Sequence, residues 1–234
     1  MSITSVAKDL ETAFSLRGVK AVALTVNSPG GSPVQSNLIY RRIRSLSEEH
    51  KVPVIAFCED AAASGGYWLA CAGDEIFADP NSIVGSIGVV SGGLGFPALL
   101  AKLGVERRLL TAGENKGLLD PFSPLNKSQR AHAQSMLDQI HRQFIHVVRE
   151  GRGDRLKETP DMFTGLFWTG EQAVKMGLAD DLANMATVAR DVVKAEDIID
   201  YTRRENVAER LVKRFGAAMG EGAIKALRGL NAIH

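Results

Sequence analysis

Two runs of apolar, β-branched residues mark the first sixty positions, Lys20–Val26 (KAVALTV) and Val52–Cys58 (VPVIAFC). Neither alternates with polar residues, so each is predicted to be a strand buried on both faces, as in a parallel sheet. Between them, Pro33 to His50 reads as a helix. Ser32 stands at its cap, Pro33 at its first position and Gln35 in the place of a capping-box partner. A second helix is predicted from just after Ser64 to about Ala72, followed by a short strand over Glu75–Ala78. A glycine-rich stretch from Gly85 to Gly95 and a further strand over Arg107–Thr111 come next.

The longest predicted helix runs from Lys127 to Glu150. Ala133, Met136, Leu137, Ile140, Phe144, Val147 and Val148 give it an apolar stripe at helical spacing, expected to be core or interface. Gly151–Pro160 reads as an exposed connection, Glu171–Met176 as a short helix ended by Gly177, and Ile198–Tyr201 as a late strand. Strands alternating with helices predict an α/β fold, a mostly parallel sheet with helical crossovers. Residues 1–205 are expected to form one domain. A weakly amphipathic helical tail, 206–234, belongs to it or packs on a neighbouring subunit; the alternative for its basic residues Lys213, Arg214, Lys225 and Arg228 is a membrane surface.

Composition narrows the function classes. Of 234 residues, 45% are hydrophobic and 24% charged, which is ordinary for a globular domain, and the net charge of +1 gives no reason to expect a nucleic-acid partner. The two cysteines, Cys58 and Cys71, read as small buried hydrophobes in a reduced protein, with a disulfide as the alternative. No apolar run is long enough to span a membrane, and the N-terminus lacks the basic and apolar regions of a secretory signal. The expected location is the cytoplasm. Membrane association is the alternative if an N-terminal anchor has been removed.

Three local features can carry chemistry. Asn27–Ser32 (NSPGGS) lies between a strand and a capped helix, where two glycines allow backbone N–H groups to point into a cleft. Those amides could hold an oxyanion or a phosphate, or the segment could be a plain turn. Ala62–Trp68 (AASGGYW) puts Ser64 where a strand passes into a helix, either as an exposed hydroxyl or as a simple N-cap. Lys116, in Glu114–Gly117 (ENKG), is either a surface charge or a base whose pKa burial or a nearby cation depresses. Of the histidines, His132, His141 and His146 fall on the long helix, His50 ends another and His234 is last, so none sits in a site-like loop. A Ser-Lys pair is therefore the better option than a Ser-His-Asp triad.

Taken together, these residues resemble the signal peptide peptidase A family of serine peptidases (family S49), whose fold is related to the Clp proteolytic subunit and the crotonases. The resemblance covers Lys20 to Tyr201. It rests on NSPGGS, ASGGYW at Ala63–Trp68, GSIGV at Gly85–Val89, Lys116 with the following Pro121-Phe122, and WTGEQAVKMGLAD at Trp168–Asp180. It implies a Clp/crotonase-like fold with Ser64 as nucleophile, Lys116 as base and Ser86 as the hydroxyl that orients the lysine. The amides of Gly31 and Gly65 would form the oxyanion hole. It further implies apolar, unstructured peptides such as cleaved signal peptides as substrates, no cofactor or metal, and a ring-like homo-oligomer, with the serine and lysine supplied either by one subunit or by two adjacent ones. Family members usually carry an additional strand before the position where this sequence begins. Two rivals on the same fold are a crotonase-type acyl-CoA enzyme, for which Glu59 and Asp60 are the available carboxylates, and a non-catalytic scaffold. A narrow-specificity processor of membrane proteins is the alternative within the peptidases.

Overall fold

The computed structural model describes residues 2–195 and 197–202. Chain order begins α1 (Ile3–Phe14), β1 (Val22–Ser28), α2 (Pro33–His50), β2 (Val54–Ala63) and α3 (Gly65–Ala70). β1 and β2 are parallel neighbours in register from Val22↔Val54 to Val26↔Cys58, so α2 is the crossover of a βαβ unit. The expected capping box at its start does not form. The Ser32 side chain makes no cap bond, and Gln35 Oε1 accepts instead from the Ile3 N–H at 2.8 Å. Tertiary docking of α1, whose Phe14 is buried, outcompetes the local cap.

β2 is the longest strand and changes partner along its length. Its first half pairs in parallel with β3 (Glu75–Ala78), and its last three residues pair in parallel with β4 (Ile83–Gly85). Ser28 aligns with Ala62, and Ala63 with Gly85. Three parallel strands thus end side by side, and the segments that follow them leave from one edge of the sheet. Ligand sites in α/β sheets form at such carboxyl ends.

The remaining α-helices and strands among the described residues are α4 (Pro97–Leu103), α5 (Lys127–Arg152), β5 (Phe167–Thr169), α6 (Gly170–Lys175), β6 (Asp181–Leu182) and α7 (Met185–Val188). β5 runs antiparallel to β4, and β6 parallel to β3, completing a six-stranded sheet. The core lies between the sheet and α2, α3 and α5, with Ile39, Ile43, Val54, Trp68, Ile76, Phe144 and Val148 all buried. Only the C-terminal half of the α5 stripe is covered; Met136 remains 49% exposed.

The structure departs from the sequence expectations in three further places. Arg107–Thr111 is not a strand: it is exposed and pairs with no strand among the described residues. The described residues of 198–201 form no strand for the same reason. The stretch expected to be exposed, Gly151–Pro160, instead contains Arg152, whose side chain is fully buried. It donates from both terminal nitrogens to Asp180, at 2.9 and 2.7 Å, and from Nε to the Gly177 carbonyl at 2.8 Å. A buried cation is stable only when paired and hydrogen-bonded in this way. Cys58 and Cys71 are buried free thiols, as expected. The predicted tail, 206–234, lies outside the described residues.

Candidate active site

Ser64 is the hinge between β2 and α3. Its backbone, at φ 52° and ψ −122°, lies in a region that non-glycine residues rarely adopt. The surroundings over-determine that conformation: the Ser64 N–H donates to the Gly85 carbonyl at 2.8 Å, and the Trp68 N–H donates to the Ser64 carbonyl at 3.0 Å. Ser64 therefore makes no side-chain cap bond, although it occupies the cap position of α3. Ser64 instead lines a cavity at the end of the sheet.

The glycines around it are required by proximity. Gly30 has φ +127°, and a Cβ placed there would sit 2.8 Å from Ser64 Cβ and 3.1 Å from Ser64 Oγ. A Cβ on Gly65 would lie 2.6 Å from Ser36 Oγ and 3.1 Å from the Gly31 nitrogen. One on Gly66 would meet the Ser28 carbonyl at 2.5 Å. The NSPGGS turn is therefore pressed against the start of α3, which brings the Gly31 and Gly65 nitrogens beside the serine. Ser28 Oγ, 3.2 Å from the Gly30 nitrogen, ties the turn back to the end of β1.

Ser86 follows β4 and is also left-handed, with φ 51°; its N–H donates to the Leu166 carbonyl at 2.7 Å. Four of the five residues singled out from the sequence, Gly31, Ser64, Gly65 and Ser86, line one cavity of about 340 Å³. Trp68 and Phe144 also line it, stacked with ring centroids 4.8 Å apart, and Val89, Val90 and Thr164 add to the wall. No charged side chain is among its lining residues.

Lys116, the fifth residue, does not line this cavity. It lies exposed in a loop after α4, and its ammonium has no ion-pair or hydrogen-bond partner among the described residues. The carboxylates Glu59 and Asp60 are exposed as well, and Asp60 accepts from Asn27 Nδ2 at 3.0 Å. Among the described residues, no group of three or more His, Cys, Asp or Glu side chains could hold a metal ion.

Sequence reasoning did not anticipate two further contributions. Phe144 was part of an apolar stripe with nothing to distinguish it from its neighbours, and only packing places it under Trp68. His141, one turn earlier, sets Nε2 3.1 Å from the Ile87 carbonyl, directly after Ser86, yet does not line the cavity. The one available signal for Trp68 was its place four residues after Ser64, on the turn of α3 that faces back to the serine.

An α/β sheet with a strained serine at a strand-to-helix turn, packed against a second glycine-bearing turn, is an arrangement that serine-type hydrolases use. The chain belongs to the peptidase family S49, whose family model matches residues 47–198. Among its relatives, Protease 4 of Haemophilus influenzae is 32% identical over 211 residues, 90% of this chain and 34% of that protein. The chloroplastic serine protease SPPA of Arabidopsis thaliana is 32% identical over 171 residues, 71% of this chain and 24% of that protein. A Brucella melitensis protein named Na(+)/H(+) antiporter NhaA is 54% identical over 190 residues, 81% of this chain but only 26% of that protein. The chain thus spans about a quarter of the first relatives it matches. No helix among the described residues is long and apolar enough to cross a membrane.

Proposed function

We propose that this chain is a serine endopeptidase that cleaves apolar, unstructured peptides, cleaved signal peptides among them, through an acyl-enzyme on Ser64. The observation that carries the reading is the left-handed Ser64, held against Gly30, Gly31 and Gly65 in a cavity without charge. Lys116, as the general base, takes the proton of Ser64 Oγ as that oxygen attacks the scissile carbonyl. The Gly31 and Gly65 amides stabilise the oxyanion, a contribution of roughly 3–4 kcal/mol per donor. The lysine returns the proton to the leaving amine, and water then hydrolyses the ester. Ser86 accepts a hydrogen bond from the lysine and orients it.

The base is supplied by a second copy of the chain, in a ring-like homo-oligomer. Two features support this arrangement. Lys116 is absent from the lining of the Ser64 cavity, and the stretch around it presents large apolar side chains to the outside: Leu94 is 74%, Leu103 65% and Leu110 97% exposed. A crotonase-type reaction is disfavoured because no carboxylate lines the cavity.

The test is labelling by a fluorophosphonate probe. Wild type should label, whereas Ser64→Ala and Lys116→Ala, each folded, should not. Mixing the two inactive variants and allowing subunits to exchange should restore labelling on the Lys116→Ala copies. Labelling of Ser64→Ala at the wild-type rate would remove the serine assignment, and no recovery on mixing would place the dyad within one chain.

A further inference from the structure

The loop that carries Lys116 has almost no regular structure, yet it is tightly fastened at one point. Between Gly113 and Ser123 the backbone advances through successive tight turns. Lys116 N–H donates to the Gly113 carbonyl at 3.1 Å, Leu118 to Asn115 at 3.1 Å, Asp120 to Gly117 at 3.2 Å and Ser123 to Asp120 at 3.3 Å. Bonds of this length in exposed turns hold little by themselves. Leu119 is also left-handed, at φ 58°, a conformation that disfavours a branched side chain. Something else must therefore keep the turn in place, and it is not Lys116, which has no partner among the described residues.

The fastening begins at Asp120, whose side chain is only 9% exposed on a loop that is otherwise open. Its Oδ2 accepts from the Ser123 hydroxyl at 2.7 Å and faces Arg107 Nε at 3.6 Å. The Ser123 hydrogen bond foremost, then the Phe122 N–H and Arg107, hold its carboxyl below the ordinary carboxylate range. The Arg107 guanidinium also lies 5.8 Å from the centre of the Phe122 ring, within reach of a cation–π contact. Phe122 in turn stacks on Phe96, with centroids 5.6 Å apart, and the Phe96 N–H donates to the Pro121 carbonyl at 2.7 Å. The loop is thus closed onto the residue that caps α4.

We propose that Asp120, together with Arg107, Phe122 and Phe96, forms a clamp of positioning residues that holds the turn bearing Lys116 in the geometry needed to reach Ser64. The inference rests on Lys116 being the base. Its physical ground is that a base must be placed to within about half an ångström, and that an error of about 1 Å costs on the order of a hundredfold in rate. An unpartnered lysine on a turn whose own backbone hydrogen bonds hold little meets that demand only if the turn is held from outside. The clamp also explains why Pro121-Phe122 accompanies Lys116: the pair is the anchor of the loop.

The experiment measures kcat and KM on a quenched apolar peptide for Asp120→Ala and Asp120→Asn, beside Lys116→Ala. Asp120→Ala should lose roughly tenfold to a hundredfold in kcat with KM unchanged. Asp120→Asn, whose single amide oxygen still accepts from the Ser123 hydroxyl but no longer also from the Phe122 N–H, should recover part of that loss. Hydrogen exchange in an inactive Ser64→Ala background gives a readout free of turnover: Asp120→Ala should speed exchange at the Leu118 and Ser123 amides while β2 amides stay protected. Wild-type kcat in Asp120→Ala beside an inactive Lys116→Ala overturns the clamp alone. Wild-type turnover in Lys116→Ala overturns the assignment of the base, and the clamp's catalytic role with it.

Discussion

Gly30 offers a direct way to perturb the nucleophile without touching it. Alanine at this position places a Cβ 2.8 Å from Ser64 Cβ, about 0.6 Å inside the 3.4 Å at which ordinary contact begins. The obstacle is the nucleophile itself rather than the tip of a flexible side chain, and Ser64 is already pinned by its N–H to the Gly85 carbonyl. Gly30 also sits at φ +127°, a region essentially reserved for glycine, so the substitution carries backbone strain on the order of 1–3 kcal/mol. The system has two ways to relax. Displacing Ser64 Oγ by roughly half an ångström should slow its attack by between tenfold and a hundredfold. Displacing the NSPGGS turn should instead pull the Gly31 amide out of reach, with a loss of about a hundredfold or more. Either way, the second-order rate of fluorophosphonate labelling should fall at least tenfold in Gly30→Ala, while the backbone strain lowers the melting temperature by about 2–12 °C. Gly92→Ala is the control, since a Cβ there meets nothing within 4 Å and φ is not positive. A Gly30→Ala variant that labels at the wild-type rate would refute the close approach between the turn and Ser64, and the oxyanion assignment built on it.

Three further outcomes follow from the buried groups. Removing the carboxylate in Asp180→Ala leaves the fully buried Arg152 guanidinium unpaired, which should cost about 3–5 kcal/mol. At a urea slope of about 2 kcal/mol/M the midpoint should drop by about 2 M, and a shift under about 0.5 M would contradict the pairing. In the wild type, burial opposes ionisation of Asp180, but hydrogen bonds from Arg152 and the Ile76 N–H outweigh it and hold the carboxyl below its ordinary value. The resulting stability should be complete above the unfolded value near 3.9 and should be lost as pH falls below it, read by urea titration across the acid range. Burial pushes the Cys58 and Cys71 thiols up to about 12, so both should resist a thiol reagent in the native state and react fully in denaturant; rapid native labelling would contradict their placement.

What the sequence determined by itself was local. Unbroken apolar runs such as KAVALTV and VPVIAFC can be satisfied only by burial on both faces, so the parallel βαβ unit was legible before any coordinates. Gly-Gly pairs at strand-to-helix junctions marked Gly31, Ser64 and Gly65, because backbone freedom is needed where chains approach closely. Ser86 became legible only through the resemblance, since nothing in GSIGV alone announces a left-handed serine. The capping box at Ser32 failed because Gln35 has a better partner on α1, and the strand over Arg107–Thr111 failed because a strand needs a neighbour that local sequence cannot supply.

Tertiary structure alone decided the rest. It exchanged β3 for β4 along β2, so that Ser28, Ala63 and Gly85 end together and their loops share one edge. It sank Arg152 beneath Asp180 in a stretch that reads as polar surface, and laid Phe144 under Trp68. It also tied Pro121-Phe122 to Phe96 and left Lys116 outside the cavity of its own chain. Each of these depends on residues far apart in sequence meeting in space, and hydrophobic periodicity carries no information about which distant surfaces meet.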